Sequence, residues 1–483
     1  MSRLVVGPFN RVEGDLELTL DVEGGVVREA RVAASLYRGF EQLLLGRPAE
    51  DALVIAPRVC GICSVSQSLA AVAALRAAQG TEPAPNGLIA ANLAHAAENI
   101  ADHLTHFYVF FMPDFARAAY AGRGWQEAAE ARFKAVSGAA LREALPARAR
   151  LLETMGLIAG KWPHSLAFRP GGVTRALALG DEMRLVALLA EFRGFIERTL
   201  FAAPIEAVIA LSSAKALDSF VEGDGAAGDF AFFVRIARDL RLDELGRGPG
   251  LLMSAGAYLG PQGHRFPAGL LDTATGALRS PPLHAIEEDV SHSFMRDTAA
   301  DPALAETLPD IHRPGAYSFA KAPRLEGRAV EVGAVARQAV AGHPLIRDCL
   351  ARSGASDVFA RIVARLLEIA LLTQAMDEWT RDLRAREPFC ATDAPLRDGA
   401  VAGFVEAARG ALGHWASYRG GQIARYQIIA PTTWNFSPRD SAGRPGPLEF
   451  ALQGLEVGAE GASSVALQHV VRSFDPCMVC TAH

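Results

Sequence analysis

Apolar and polar positions alternate along residues 16–22. Leu16, Leu18, Leu20 and Val22 share one face, and Glu17, Thr19 and Asp21 the other; Gly24-Gly25 and then Val26, Val27 and Val32 follow. A period of two broken by a glycine pair predicts a β-hairpin. From residue 64 the pattern turns helical. Ser64–Gln79 is alanine-rich, Pro85–Pro113 is a long run bounded by proline at both ends, and Leu179–Phe201 and Asp357–Leu383 are two more helices. Residues 249–328 are rich in glycine and proline, which predicts loops and short strands. Ile423–Ala430 reads as a strand entered from Gly420-Gly421 and stopped by Pro431. The expected fold class is mainly α (α+β): long helices, an N-terminal β-hairpin and short peripheral strands. The chain shows no repeat, heptad run or dividing linker, so residues 1–483 are expected to form a single interwoven domain.

With 48 basic against 54 acidic residues the net charge is −6, which leaves no basic excess for a nucleic-acid partner. Half the residues are hydrophobic, which excludes general disorder. No apolar run reaches the roughly 18–20 residues of a transmembrane segment. The stretch Met1 to Asp15 is broken by Gly7, Pro8, Arg11 and Glu13 and does not read as a secretory signal. Six cysteines are too few for a disulfide scaffold, so a cytoplasmic location is expected; folded export on a partner's signal is the other route.

Two Cys-x-x-Cys motifs stand at opposite ends, Cys60-Gly61-Ile62-Cys63 and Cys477-Met478-Val479-Cys480. Together they supply four thiolates, enough to enclose a metal. Spacing alone leaves structural zinc, a redox dithiol and a catalytic metal open. Cys349 and Cys390 are isolated and expected to be simple buried residues.

Around these pairs lie Arg11-Val12-Glu13-Gly14, Arg38-Gly39-Phe40-Glu41, Asp102-His103-Leu104-Thr105-His106-Phe107-Tyr108, Ala408-Arg409-Gly410, Pro431-Thr432-Thr433-Trp434-Asn435 and Asp475-Pro476 before the last pair. In this ordered set the chain resembles, over its whole length, the large subunit of nickel–iron hydrogenases. The resemblance implies long central helices around a buried bimetallic site. It implies nickel held by Cys60, Cys63, Cys477 and Cys480, with Cys63 and Cys480 bridging to an iron that carries carbonyl and cyanide ligands. Thiolates are soft donors that suit these metals. Arg409 and Thr432 match positions that hydrogen-bond the cyanides. Heterolytic cleavage of H2 gives a hydride and a proton, and the proton needs a base. Cys477 matches the first acceptor, Arg409 is a rival, and Glu13 matches the carboxyl that relays the proton onward. Where the family commonly has histidine after Glu-Gly, this chain has Asp15. Glu41 and His483, with the carbonyl of Ile428, match ligands of Mg2+, although magnesium prefers oxygen donors.

Asp102, His106 and Phe110 are spaced by four, which puts them on one face of a regular helix. Either Asp102 orients Arg409 and His106 hydrogen-bonds a bridging sulfur, or the two pair with each other in the core. Asp475 matches a second carboxyl near Arg409, and His103 reads as a packing histidine. Ile62 and Phe110 are bulkier than the valine and leucine usual at these points; they are expected to narrow gas access, passing H2 and slowing O2.

The chain stops at His483, where most relatives carry an extension that is later cut off. Gln67 replaces the usual histidine, and Ala408 a frequent proline. These departures resemble the regulatory, hydrogen-sensing branch, which turns over slowly and signals to a histidine kinase. The alternatives are an energy-conserving uptake enzyme and a non-catalytic protein with a structural metal. With four cysteines on nickel, the remaining two cannot hold an iron–sulfur cluster, which wants about four thiolates. Clusters are therefore expected only in a small partner subunit, in a heterodimer or a dimer of heterodimers.

Overall fold

The computed structural model describes residues 2–384 and 386–483. The described residues are 46% helical and 19% strand, so the expected mainly α class with small sheets is found. The N-terminal hairpin pairs Leu16–Glu23 with Val26–Ala34, and Ser2–Val6 adds a third antiparallel strand that the alternation did not reveal. Leu16, Leu18 and Leu20 are fully buried, which is why the period-two signal was clean.

Three helices surround the middle of the molecule: Ser64–Gln79, Pro85–Thr105 and Val358–Asp382. The last begins one residue after Asp357, whose carboxylate accepts from the Ala360 N–H at 2.7 Å as an N-cap. The long run starting at Pro85 departs from regular helix earlier than expected. After Thr105 it widens to a π turn, His106–Phe111, and then tightens to a 3-10 turn, Met112–Ala116. The Leu179 helix likewise ends at Phe195 and gives way to a π turn, Ile196–Leu200.

A second antiparallel sheet is formed by Gly399–Ala407, Gly410–Arg419 and Gln422–Ile429. Ala407 pairs with Gly410, so Ala408 and Arg409 form a two-residue hairpin turn. The Ser64–Gln79 helix lies directly on the first strand. A Cβ at Gly403 would sit 2.2 Å from the Ala74 nitrogen, so only glycine permits this approach. Helix and hairpin turn, which follow Cys63 and carry Arg409, are thereby held together.

Behind that turn lies a buried ion network. Arg337, fully buried, donates to Glu368 at 2.5 and 3.2 Å, to Glu406 at 2.8 Å, and to the carbonyls of Ala407 and Ala408 at 2.8 and 3.0 Å. Glu368 also meets the Nε2 of His103 at 3.1 Å, so His103 is a member of this network and not merely a packing residue. Burial alone raises a carboxyl; the Arg337 charge reverses this at Glu368, which sits at about 2, but not at Glu406, at about 7. Arg337→Met strips the cation from two buried carboxylates. It is expected to cost about 3–5 kcal/mol, the range for breaking a buried pair by removing one partner, and to be read as a lowered midpoint in chemical denaturation.

Candidate metal centre

Each cysteine pair is held by backbone geometry that its neighbours dictate. Cys60 ends the short 3-10 turn Ala56–Val59 in an extended conformation, and Cys63 directly precedes the Ser64–Gln79 helix. The open N–H groups at that helix start are met by Glu98 of the next helix. Its carboxylate accepts from Val65 N at 2.8 Å, Ser66 N at 2.9 Å and the indole of Trp162 at 2.9 Å. The C-terminal pair is sewn to the N-terminal segment as a parallel bridge: Glu13 N donates to Pro476 O at 3.3 Å, and Met478 N donates to Glu13 O at 2.7 Å. Gly14 allows this contact, with φ 80° and a would-be Cβ only 3.1 Å from Val479 N.

The four sulfurs converge in the core. Cys60 Sγ lies 3.5 Å from Cys477 Sγ, Cys63 Sγ 3.4 Å from Cys480 Sγ, and Cys477 Sγ 3.0 Å from Cys480 Sγ; all four residues are buried and none is in a disulfide. The crowding sets them against each other. Hydrogen bonding from Cys477 and the other thiols holds Cys60 well below the ordinary thiol range, whereas interaction with Cys477 holds Cys63 well above it, as burial does Cys480. A soft cation among them resolves that conflict. Cys60, Cys63 and Cys480 hold their sulfurs within 4.8 Å of one another, and Cys477 joins them at 3.0 and 3.5 Å, so the donor set fits a thiolate-bound metal.

Arg409 lies near enough to this cluster for the charges of Cys477 and Cys60 to act on it. Its position in a tight hairpin turn would ordinarily be exposed, yet it is buried. Nη1 donates to Asp102 Oδ2 at 2.6 Å, Nε to the Asp475 carbonyl at 2.8 Å and Nη2 to Asp475 Oδ1 at 3.1 Å. One oxygen of each aspartate, Asp102 Oδ1 and Asp475 Oδ2, has no partner. Burial pushes Asp102 up to about 7 in spite of Arg409, while at Asp475 the Arg409 charge outweighs burial and draws it down. Thr432 Oγ1 accepts from Cys477 N at 3.2 Å. Glu13 is half-buried, and burial followed by the Cys60 charge raises its pKa.

Asp102 and His106 do not pair with each other, and His106 does not reach a sulfur as expected. Its Nε2 donates to the Arg472 carbonyl at 2.6 Å, and burial holds the ring neutral at about 3, so its single proton is used there. The common face with Phe110 also fails. In a π turn the register advances by five, and the ring beside His106 is Phe111, at 5.8 Å between centroids. Phe110 is half-buried, and its carbonyl accepts from Arg11 at 2.8 Å. Ile62 is half-buried and packs on the core. Gln67 Oε1 accepts from His414 Nε2 at 2.8 Å, and Tyr426 completes the chain by donating to Nδ1 at 2.8 Å. Cys349 is buried, as expected, but Cys390 is only partly so.

A second polar site lies at the C-terminus. His483 is buried, its Nδ1 donating to Cys480 O at 3.0 Å, with Nε2 2.7 Å from the carbonyl of Ile428 and 3.4 Å from Glu41 Oε1. His483 Nε2, the Ile428 carbonyl and Glu41 Oε1 thus face one another across one small space. Glu41 Oε2 has no partner, and a cavity of about 10 Å³ adjoins. A small cation fits these donors. Lys321, Glu288, Gln427 and Thr307 close the site, with Lys321 Nζ 2.8 Å from Glu288 and 2.7 Å from Gln427. These four, and Glu98, went unread in the sequence. Glu98 stands one turn before Asp102 on the same helix, a spacing that could have revealed it.

Residues 38–141 and 115–483 match the nickel-dependent hydrogenase family. The chain belongs to that family. It is similar to the periplasmic [NiFeSe] hydrogenase large subunit of Desulfomicrobium baculatum, 28% identical with 100% of this chain and 95% of the relative covered. The hydrogenase-2 large chain of Escherichia coli (strain K12) is 26% identical, covered at 100% and 97%, and the quinone-reactive Ni/Fe-hydrogenase large chain of Wolinella succinogenes is 25% identical, covered at 100% and 96%. Among solved structures, the Ni-Fe-Se hydrogenase from D. vulgaris Hildenborough in the reduced state superposes with a TM-score of 0.84 at 28% identity over 100% of both chains. The protein is thus a hydrogenase large subunit, and its family implies a nickel–iron centre. This hydrogenase has cysteine at all four thiol positions. Changing any one of Cys60, Cys63, Cys477 or Cys480 to serine is expected to remove most of the nickel found by elemental analysis. Cys349→Ser and Cys390→Ser are expected to leave it nearly unchanged.

Proposed function

We propose that this chain is the H2-converting large subunit of a heterodimeric nickel–iron hydrogenase whose electrons leave through an iron–sulfur small subunit. The observation that carries the reading is the meeting of four buried thiols from opposite chain ends near a buried, doubly paired arginine. When bound, the nickel–iron centre supplies heterolytic cleavage of H2. The protein's part is to hold it and to move the proton. The sulfur pairings support Cys60 and Cys477 as terminal and Cys63 and Cys480 as bridging ligands. Arg409 keeps its own proton, held well above its usual range, which favours Cys477 over it as first acceptor. Arg409 and Thr432 are read as the donors to the iron's cyanides, with Asp102 and Asp475 orienting Arg409. Glu13 is read as the relay: its backbone grips both sides of Cys477, and its raised pKa brings it closer to neutrality. Glu41, His483 and the Ile428 carbonyl are read as the Mg2+ ligands. A single interwoven domain is supported by one core cluster that runs from Val6 to Cys480.

The relatives named above are described as a periplasmic enzyme, a hydrogenase-2 chain and a quinone-reactive chain, none by a sensing role. These descriptions favour H2 oxidation with onward electron transfer over the regulatory role that the sequence departures first suggest. Sensing, with low turnover and a histidine kinase partner, remains a second reading because Gln67 is committed to His414 where a histidine is usual. Turnover with an artificial electron acceptor, and co-purification of a kinase, separate the two. A cytoplasmic location rests on cysteine content alone; no helix among the described residues is long and apolar enough to cross a membrane.

Infrared bands from carbonyl and cyanide ligands in the purified heterodimer test the site as a whole, and their absence would refute it. Glu13→Gln is expected to keep those bands while abolishing most hydrogen–deuterium exchange between the gas and heavy water. Wild-type exchange in this variant would place the relay elsewhere. The narrowing of gas access at Ile62 and Phe110 is supported at Ile62, which lies between two of the cysteines. Ile62→Val is therefore the test: it is expected to retain nickel and to be inactivated by oxygen faster, and unchanged oxygen tolerance would dismiss the narrowing.

A further inference from the structure

Arg38 touches both cysteine loops. Its Nη2 donates to the carbonyl of Val59, directly before Cys60, at 2.5 Å and to the carbonyl of Val479, directly before Cys480, also at 2.5 Å. The side chain is half-buried and lies over the Phe40 ring at 4.8 Å. Among the described residues it joins no ion pair, and its Nε has no partner. The guanidinium is therefore spent on two backbone carbonyls, not on a carboxylate. Nothing else among the described residues makes a hydrogen bond to both loops. Glu13, Thr432 and Thr433 each hold the C-terminal loop only, and His164 meets the Pro57 carbonyl at the N-terminal loop only.

We propose that Arg38 is a positioning residue that sets the spacing of the two cysteine pairs and so pre-organises the four thiols for their metals. A planar NH2 group carries two N–H bonds about 120° apart, so one nitrogen can serve two acceptors from different segments. Each carbonyl lies one peptide unit from a cysteine Cα, so fixing both fixes the approach of Cys60 and Cys480. Apart from this bridge, the hydrogen bonds that join the two loops among the described residues run between their sulfurs. The metal-dependent part of this inference rests on the hydrogenase reading; the spacing of the thiols does not.

The test uses the full chain in two forms. In the metal-free protein, alkylation of each cysteine by iodoacetamide is followed by mass spectrometry, with Cys349 as internal reference. Arg38→Met keeps the stem over Phe40 and removes both donors. It is expected to speed alkylation of Cys60 and Cys480 about tenfold, the factor that one ordinary hydrogen bond is worth, with Cys349 unchanged. Arg38→Lys, whose ammonium can also donate to two carbonyls, is expected to stay close to the wild type. In the metal-loaded heterodimer, Arg38→Met is expected to lose nickel to a chelator faster and to shift or broaden the carbonyl and cyanide infrared bands, and Arg38→Lys to restore both. Wild-type alkylation rates in Arg38→Met overturn the proposal. So does equal acceleration of Cys349, which would mean general loosening, or a lysine variant as fast as the methionine one. If Arg38→Met does not accumulate, Arg38→Gln, too short to reach both carbonyls, is read by the same criteria. A wild-type protein without nickel or infrared bands defeats the hydrogenase reading, while the alkylation rates still decide the role of Arg38.

Discussion

Four thiols from the two ends of one chain must meet in a dry interior with no covalent bond between them, and much of the structure follows from that constraint. Cys60 and Cys477 are 417 positions apart, as are Cys63 and Cys480. Closing so long a loop carries an entropic cost, and bringing ionisable sulfurs to 3.0–3.5 Å adds repulsion. The fold meets both by fixing each loop to rigid partners. Glu98 holds the helix start after Cys63, Glu13 bridges to the segment around Cys477, and His483 is buried where a chain end would ordinarily fray.

The second demand is to keep charge near the thiols in a medium that disfavours it. Arg409 is buried with two aspartates, and a second buried arginine, Arg337, grips the carbonyls of Ala407 and Ala408 just before it. The two networks are adjacent along the Pro85–Thr105 helix as well, since Asp102 serves Arg409 and His103 serves Glu368. Buried polar groups of this kind are stable only when their partners are in place. Among the buried oxygens without partners, those of Asp102 and Asp475 belong to the carboxylates that hold Arg409, and that of Glu41 lies in the second proposed site.

The π turn at His106–Phe111 shows how a local change redirects chemistry. A regular helix would have set Phe110 beside His106. The wider turn brings Phe111 there and carries His106 to the Arg472 carbonyl. Spacing by four is a property of the α-helix, and no sequence signal distinguishes the five-residue turn that replaces it here.

The sequence by itself determined the helices Ser64–Gln79 and Val358–Asp382, the hairpin at Leu16–Ala34 and the four cysteines, because periodicity, glycine pairs and Cys-x-x-Cys spacing are local properties. Resemblance to ordered family motifs then marked Glu13 and Arg409 for the thiol-bound centre and Glu41 and His483 for a second, Mg2+ site. Only the tertiary structure decided what these residues touch. That Arg409 sits at a buried hairpin turn, that Gln67 is committed to His414, that Lys321 and Gln427 close the C-terminal site and that Arg38 spans both cysteine loops are contacts between segments far apart in the chain. Such contacts depend on how helices and sheets pack, and packing is a property of the whole molecule that no local pattern encodes.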